Sequence, residues 1–401
     1  MLVTSRRYVH GNQCRSRHHD PNVAGREAAQ QALKNVGVDR PDFAFMFASI
    51  GYDQTSLVRA VREATGGTLL SGCSWEGTIN GEDADESNFS VAVTAIISDE
   101  LQWINGMATG LRADSRAVGQ QVAQNLQSDF SSAVTGLFVF PDALAVNFDH
   151  FVSGLGGYLS PDRFVPLWGG AAGGDFARRQ TYQYYDDEVV SDGVADVLLT
   201  GKVQAAWAVS HGCIPIGNEC KVTRCQGNVI YEIDGKPVLE VIKEYIPDPD
   251  LVANWYRYAL TLALSLKALE YFEDEEYIVQ GIPRINEDDG SVTIQTEVSE
   301  GMSVWFSSRD KEKIATGLDR MAQQIKHQLG DAQPKLVFEF DCASRGKMMF
   351  RNQERTKLLG EFRQSVGPDA PWVGFYTYGE IGPVSTHNLR HIYTAVVLAL
   401  S

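Results

Sequence analysis

Positive charge is what this sequence is short of. Thirty-five Lys and Arg stand against 51 Asp and Glu, a formal net charge of −16 over 401 residues. A surface of that sign repels phosphate backbones and anionic headgroups, so neither nucleic acid nor a membrane is expected as a partner. Long apolar runs are missing as well. Tyr258–Leu269 is the longest, too short for a bilayer span and carrying Lys267. Met1–Arg17 is polar and mixed, without the apolar stretch of a leader, so no signal peptide is expected. Cysteine is scarce: six residues with no dense spacing pattern suit a reducing compartment better than a disulfide framework. The expected location is the cytoplasm.

Catalytic signatures are also missing. No GxxxxGK[ST] occurs, which excludes a P-loop, and "WGGAAGGD" does not fit the dinucleotide fingerprint. There is no GxSxG elbow, no HExxH and no kinase signature. Cys73 or Ser74 could act as a nucleophile, but no spacing supplies a histidine beside either. The expected class is a binding protein, not an enzyme.

What the sequence does contain is one unit written three times. Each copy opens with an amphipathic helix, continues with a strand, a second helix and another strand, and runs into a glycine-rich turn. The first spans Asp20–Gly81, with Asp20-Pro21 as a helix start and Ala24, Ala28, Ala32 and Leu33 as its apolar stripe. The second spans Asp114–Asp175 and the third Asp310–Pro383, where Ile314, Leu318, Met321 and Ile325 fall at helical spacing. The turns "SGCSWEGTI" and "VGFYTYGEI" share glycine, four residues, glycine, one further residue and isoleucine. A β-rich tail follows each unit. Together these features predict an α/β (α+β) fold of repeated helix-strand-helix-strand units with mixed sheets. Pro237–Asp289 reads differently, as a charged helical connector between two halves, giving domains over 1–236 and 290–401 with 237–289 between them.

Several side chains stand out as ligand contacts. Glycine turns let backbone N–H groups approach a ligand, or simply make tight junctions. Cys73 and Ser74 lie in the first turn and Gly169 and Gly170 in the second; Tyr376, Tyr378, Gly379 and Glu380 add aromatic and acidic groups to the third. Arg345 and Glu380 both follow strands of the third unit. They could meet in one cleft, reading a carboxylate and an ammonium, or pair with each other. In "HGNQCRSRHHD" a zinc set is not closed locally, and a solvated segment is the better reading.

These motifs, in this order, resemble the FIST family, with its N-terminal and C-terminal domains. The residues that carry the resemblance are Ser71–Ile79, Trp168–Asp175, Val209–Glu240, Val298–Val304, Phe340–Gly346, Gly374–Pro383 and the pair His387-Asn388, which together span most of the chain. Trp75 and Thr78 depart from the family's usual first turn, and Leu389-Arg390-His391 separates His387-Asn388 from the threonine that usually follows closely. The resemblance implies a sensory module for a small-molecule ligand. Stand-alone members imply more: haem b as cofactor, nitric oxide as signal, and a partner signalling protein, either a histidine kinase or a cyclic-di-GMP enzyme. A haem would need an axial donor, for which His211, Cys213 and His387 are the candidates; no CxxCH is present for covalent attachment. Asn388 joins the implied ligand contacts. The residues alone leave open a haem-free sensor of amino acids or similar metabolites, and a homo-oligomer.

Overall fold

The structure is a computed structural model that describes residues 10–80, 83–130, 133–159, 164–174, 180–267 and 277–401. Unit one runs β1 (His10–Ser16), α1 (Pro21–Val36), β2 (Phe43–Ala48), α2 (Gln54–Ala64), β3 (Leu70–Ser74), a hairpin of β4 (Thr78–Ile79) and β5 (Ala84–Asp85), and β6 (Val91–Ile97). Unit two repeats it as β7 (Leu101–Thr109), α3 (Leu111–Leu126), β8 (Val134–Pro141), α4 (Phe148–Leu159), β9 (Leu167–Gly170), the hairpin β10 (Gln183–Tyr185) and β11 (Glu188–Val190), and β12 (Gly193–Gly201). Unit three opens with β13 (Ala205–His211) and is then interrupted.

The insertion carries β14 (Cys213–Pro215), β15 (Cys220–Gln226), β16 (Val229–Ile233), β17 (Lys236–Pro237), α5 (Val238–Tyr245) and α6 (Trp255–Tyr258). It continues with β18 (Leu262–Lys267), β19 (Tyr277–Gly281), β20 (Arg284–Ile285), β21 (Val292–Thr293) and β22 (Ser303–Arg309). Unit three then resumes with α7 (Lys311–Leu329), β23 (Leu336–Cys342), α8 (Asn352–Val366), β24 (Trp372–Thr377), the hairpin β25 (Glu380–Val384) and β26 (His387–His391), and β27 (Thr394–Leu400).

The class is α/β with mixed sheets. Each unit has one parallel pair, β2 with β3, β8 with β9, and β23 with β24. An antiparallel return strand lies on the far side of the first member. The hairpin does not stay with its own unit. β4–β5 joins β24 of unit three, β25–β26 joins β9 of unit two, and β10–β11 joins β3 of unit one. This cyclic exchange produces three six-stranded sheets related as by a threefold axis.

The inner faces of the three sheets meet in one aromatic core. Phe45, Phe138 and Phe338 hold matching places on β2, β8 and β23, and their ring centroids form a triangle with sides of 5.7, 5.5 and 4.8 Å. One residue further on, the parallel partner is glycine in every unit: Gly72, Gly169 and Gly374. At Gly72 and Gly169 φ is +149° and +144°, and a Cβ would stand 1.8 and 2.2 Å from the carbonyl oxygens of Met46 and Val139. Only glycine permits that approach.

The helices cover the outer faces. Asp20 caps α1 as its sequence predicts, accepting from the amides of Asn22 and Val23. The apolar stripe Ala24, Ala28 and Ala32 is buried against the sheet and α2. In unit two the expected start at Asp114 falls just inside the assigned helix. Asp114 is itself non-helical, and its carboxylate accepts from the amides of Arg116 and Ala117, so it caps the turns that follow.

The region 237–289 is not a helical connector. Among the described residues there, only α5 and the single turn α6 are helical; β18, β19 and β20 make up much of the rest. The apolar run Leu262–Leu266 is buried because β18 lies between β19 and β22. Nor does the chain divide into sequential halves. Cys213–Arg309 folds as one nine-stranded sheet with its own apolar core, inserted into the third unit. No helix among the described residues is long and apolar enough to cross a membrane.

Candidate functional site

In sheets of this kind the carboxyl ends of parallel strands open onto loops that bind ligands. Here the ends of β8, β23 and β24 converge beneath the inserted sheet. Between them lies a cavity of about 610 Å³. Its floor is formed by Ala143–Asn147 after β8, Cys342–Ser344 after β23, and Thr377 and Tyr378 in the third glycine turn. Arg390, Ile392 and Tyr393 close one side, and Arg112 lies at the start of α3. The inserted sheet supplies the roof through Ala259 and Leu260, Gly281–Arg284 and Thr293–Gln295.

Three arginines, Arg112, Arg284 and Arg390, line this space, and no Asp or Glu does among the described residues. Arg390 is steered by the donation of its Nη2 to the carbonyl of Tyr378 at 2.9 Å. Arg112 and Arg284 are exposed. Gln295 Oε1 is buried with no hydrogen-bond partner among the described residues. Tyr393 donates its hydroxyl to the carbonyl of Ala259 at 2.8 Å, tying the roof to the repeated units. A second tie is made by Asp149 in α4, whose Oδ2 accepts from Thr296 Oγ1 at 2.8 Å and from the Glu297 amide at 3.0 Å.

Of the residues singled out from the sequence, Tyr378 lines the cavity. Its hydroxyl donates to Glu76 in the first glycine turn. The others lie elsewhere, for identifiable reasons. Cys73 is buried in the aromatic core, and burial pushes its thiol well above the ordinary range. Ser74 is spent on structure: Oγ donates to the Gly173 carbonyl at 2.5 Å and accepts from the Tyr182 amide at 2.9 Å. Gly169 and Gly170 are packing glycines; a Cβ on Gly170 would come within 2.3 Å of the Thr377 side chain. Gly379 adopts φ +145° with its Cα against the Arg390 guanidinium. Asn388 staples the entry to β9, accepting from the Leu167 amide at 2.8 Å and donating to the Val165 carbonyl at 2.9 Å.

Arg345 and Glu380 do not pair. Arg345 is buried with Nε 2.9 Å from Asp341 Oδ1, and its Nη1 donates to the Ser210 carbonyl at 2.9 Å. Glu380 is buried in the sheet, accepting from Thr377 Oγ1 at 2.7 Å and from the Thr394 amide at 3.1 Å. Burial, with the Asp341 charge adding to it, pushes the Glu380 carboxyl up to about 8 against two opposing hydrogen bonds and Arg345. Tyr376 is buried, its phenol raised above the ordinary range for the same reason.

The candidate axial ligands are scattered. His211 is buried at the end of β13, its Nδ1 accepting from the Cys213 amide at 3.1 Å. Cys213 is buried in the same apolar cluster as Cys342. His387 is exposed where β25 turns into β26. None of these three lines the cavity. The zinc reading of the N-terminal segment fares no better. Asn35 Nδ2 donates to Cys14 Sγ, His18 accepts from the Asp20 amide, and His19 stacks on Phe89; the side chain of His10 lies outside the described residues. Arg112, Arg284 and Gln295 are marked by no sequence motif, and Arg390 stands out only within Leu389-Arg390-His391, where the family's pattern is departed from. They border one cavity because the hairpin exchange and the insertion bring their elements together.

Residues 42–236 match the profile of the FIST N domain, and residues 239–383 that of the FIST C domain. An uncharacterized protein of Mycobacterium tuberculosis is 26% identical over 397 residues, covering 94% of this chain and 95% of its own. An uncharacterized protein of Methanocaldococcus jannaschii is 26% identical over 363 residues, covering 83% of this chain and 68% of the relative. Among solved structures, a chorismatase aligns over 99% of both chains at 9% identity with a TM-score of 0.34. PurLQS from Thermotoga maritima aligns over 98% of this chain and 72% of its own, at 10% identity with a TM-score of 0.23.

Proposed function

This chain belongs to the FIST family, whose domains are small-ligand sensor modules in signalling, and from that premise we propose that its ligand occupies the cavity between the three repeated units and the inserted sheet. The observation that carries the reading is the construction of that cavity. Its floor belongs to the repeated units and its roof to the inserted sheet, which has its own core; the two meet in a small apolar cluster of Cys342, Ile392 and Tyr393 with Ala263 and Val279, and are tied at the rim by Tyr393 and by Asp149. A ligand touching both walls binds best when they are correctly spaced, so its binding biases their relative position. At about 610 Å³ the space suits a drug-sized metabolite. The role is recognition in the cytoplasm, with the change passed to a partner signalling protein such as a histidine kinase or a cyclic-di-GMP enzyme.

Between the two ligand readings, the cavity supports the haem-free metabolite. A haem iron needs an axial donor inside a sheltered pocket. No histidine lines this one among the described residues. The thiol at its wall, Cys342, is pushed up to about 12 by burial and by the nearby Glu380, which disfavours a thiolate. The two tyrosines of the lining, Tyr378 and Tyr393, spend their hydroxyls on Glu76 and on the Ala259 carbonyl, so this set of side chains fits haem poorly.

Thermal-shift screening of the full chain against small metabolites tests the proposal, because a ligand selective for the native state raises the melting temperature. A shift abolished by Ala145→Trp, which fills the floor, supports it. Shifts unaffected by that variant, or a saturable Soret band on titration with haemin, would overturn it.

A further inference from the structure

The charge and the symmetry of the fold together narrow the ligand class. We infer that the cavity receives an amphipathic organic anion, with its carboxylate or phosphate facing Arg112, Arg284 and Arg390 and its apolar body against Ile282, Ile294 and Ile392. This rests on the cavity being the ligand site.

The first argument is local. In a chain of net charge −16, three arginines and no acidic residue line one cavity among the described residues. Guanidinium groups are suited to carboxylate and phosphate.

The second argument comes from the exchanged hairpins. Their registers match β26 of unit three to β5 of unit one: His391 stands where Asp85 does, and Arg390 where Ala84 does. One residue past His391, Ile392 therefore matches Glu86. At the unit one–unit three contact, the Glu86 side chain is only 3% exposed and is held as a bound anion. Its two oxygens accept from the Lys347 amide at 3.1 and 2.8 Å, and one also accepts from Arg355. A Cβ on Gly346 would stand 2.4 Å from that carboxylate, so glycine leaves room for it. One hairpin contact thus supplies its own carboxylate and closes on it. At the related contact, the carboxylate is replaced by isoleucine and Ala84 by arginine, and a cavity remains. Arg390 and Ile392 both line the cavity, so it is offered a cation and an apolar group. A ligand's anion would stand here where the Glu86 carboxylate stands at the other contact. Gln295 Oε1, buried and unpartnered among the described residues, adds a place for a hydroxyl or amine on the same molecule.

The test uses acid and amide pairs of matched shape: phenylacetate with phenylacetamide, and octanoate with octanamide, measured by thermal shift and calorimetry on the full chain. The acids are expected to bind and the amides to bind more weakly by about tenfold or more, as for loss of a charge-assisted contact. Arg390→Met is expected to remove the preference. Because Arg390 also holds the third turn, the exposed pair Arg112→Met and Arg284→Met is measured beside it and should weaken acid binding without lowering the ligand-free melting temperature. Amides that bind as well as acids, with binding still abolished by Ala145→Trp, would overturn the anionic class and leave the cavity reading standing. Absence of binding by every probe would overturn the inference, while the wider metabolite screen still decides the cavity reading. Acid binding indifferent to the arginine variants would also overturn it.

Discussion

Tyr378 donates its hydroxyl to Glu76, 302 residues earlier in the chain, and the two occupy the same place in their respective glycine turns. The pairing follows from the hairpin exchange. Gly374 and Gly379 bracket the third turn as Gly72 and Gly77 bracket the first, and β4 lies on β24. The amide of Tyr376 donates to the Gly77 carbonyl and the amide of Glu76 to the Tyr376 carbonyl, so the turns are laced by backbone before the side chains meet.

Tyr378→Phe should therefore destabilise the fold by about 1–3 kcal/mol, the range for losing a hydrogen bond to a charged group. Equilibrium urea unfolding measures it. Glu76→Gln, which keeps an acceptor, should cost less. Equal losses from the two would mean that the charge of Glu76 sets the energy.

Phe338→Ala removes one corner of the aromatic triangle that joins all three sheets. Large-to-small changes of a buried Phe cost about 3–5 kcal/mol, and this site cannot collapse without moving Phe45 and Phe138. Because one cavity borders all three sheets, hydrogen exchange should accelerate in β2, β8 and β23 together. Acceleration confined to unit three would show that the sheets open independently.

That coupling also explains what could be read from the sequence. The units were visible because helix stripes such as Ala24, Ala28 and Ala32 and the paired glycine turns are local patterns. Even the matched spacing of Gly72–Gly77 and Gly374–Gly379 corresponds to matched geometry. The exchange was not visible, since β4 pairs with β24 through backbone bonds between residues nearly three hundred positions apart, and nothing in Thr78-Ile79 encodes the partner. Arg345 and Glu380 looked like a cleft pair because both follow strands. Asp341, four residues before Arg345, is nearer and took the guanidinium. The apolar run of β18 fits a helix or a central strand equally well until β22 is known to lie beside it.

Buried carboxyls predict an unusual pH dependence. Glu339 accepts from Trp372 Nε1 at 2.7 Å, and burial, with the Asp341 charge adding to it, pushes its carboxyl from 4.5 up to about 8. Asp196 is raised to about 8 by burial alone. A carboxyl raised in the native state keeps a proton that the unfolded chain releases. Its contribution is complete below the unfolded value and is lost as pH rises through about 8. The chain should thus be less stable at alkaline pH than at mildly acidic pH, by an amount on the order of a few kcal/mol. Glu339→Gln should flatten the urea midpoint against pH across that window. An unchanged slope would show that Glu339 is ionised in the fold.

A thiol enzyme built on Cys73 would label readily with an alkylating agent. Burial in the aromatic core and a raised thiol predict the opposite. Brief treatment of the native protein with iodoacetamide should leave Cys73 unmodified by mass spectrometry while the partly exposed Cys220 and Cys225 react first. Selective labelling of Cys73 would restore the catalytic reading.

The contact of Asp149 with Thr296 and Glu297 bears on how a bound ligand is felt outside the cavity. Gln295 and Ile294 line the roof, and the next two residues are those that Asp149 holds. The same segment is anchored to its own sheet, where the Ile294 amide donates to the Asn228 carbonyl and the Val298 amide to the Gly227 carbonyl. Asp149→Ala therefore removes one tie between the two bodies, leaving that of Tyr393 to Ala259, without unfolding either. Exchange of the Glu297 amide should rise about tenfold, the equivalent of losing roughly 1.4 kcal/mol, while strands of the repeated units keep their protection. Affinity for a ligand that bridges floor and roof should fall with it, since the binding-ready spacing is less populated. If exchange rises and affinity does not, the ligand is held by the floor alone, and the roof takes no part in reporting its arrival.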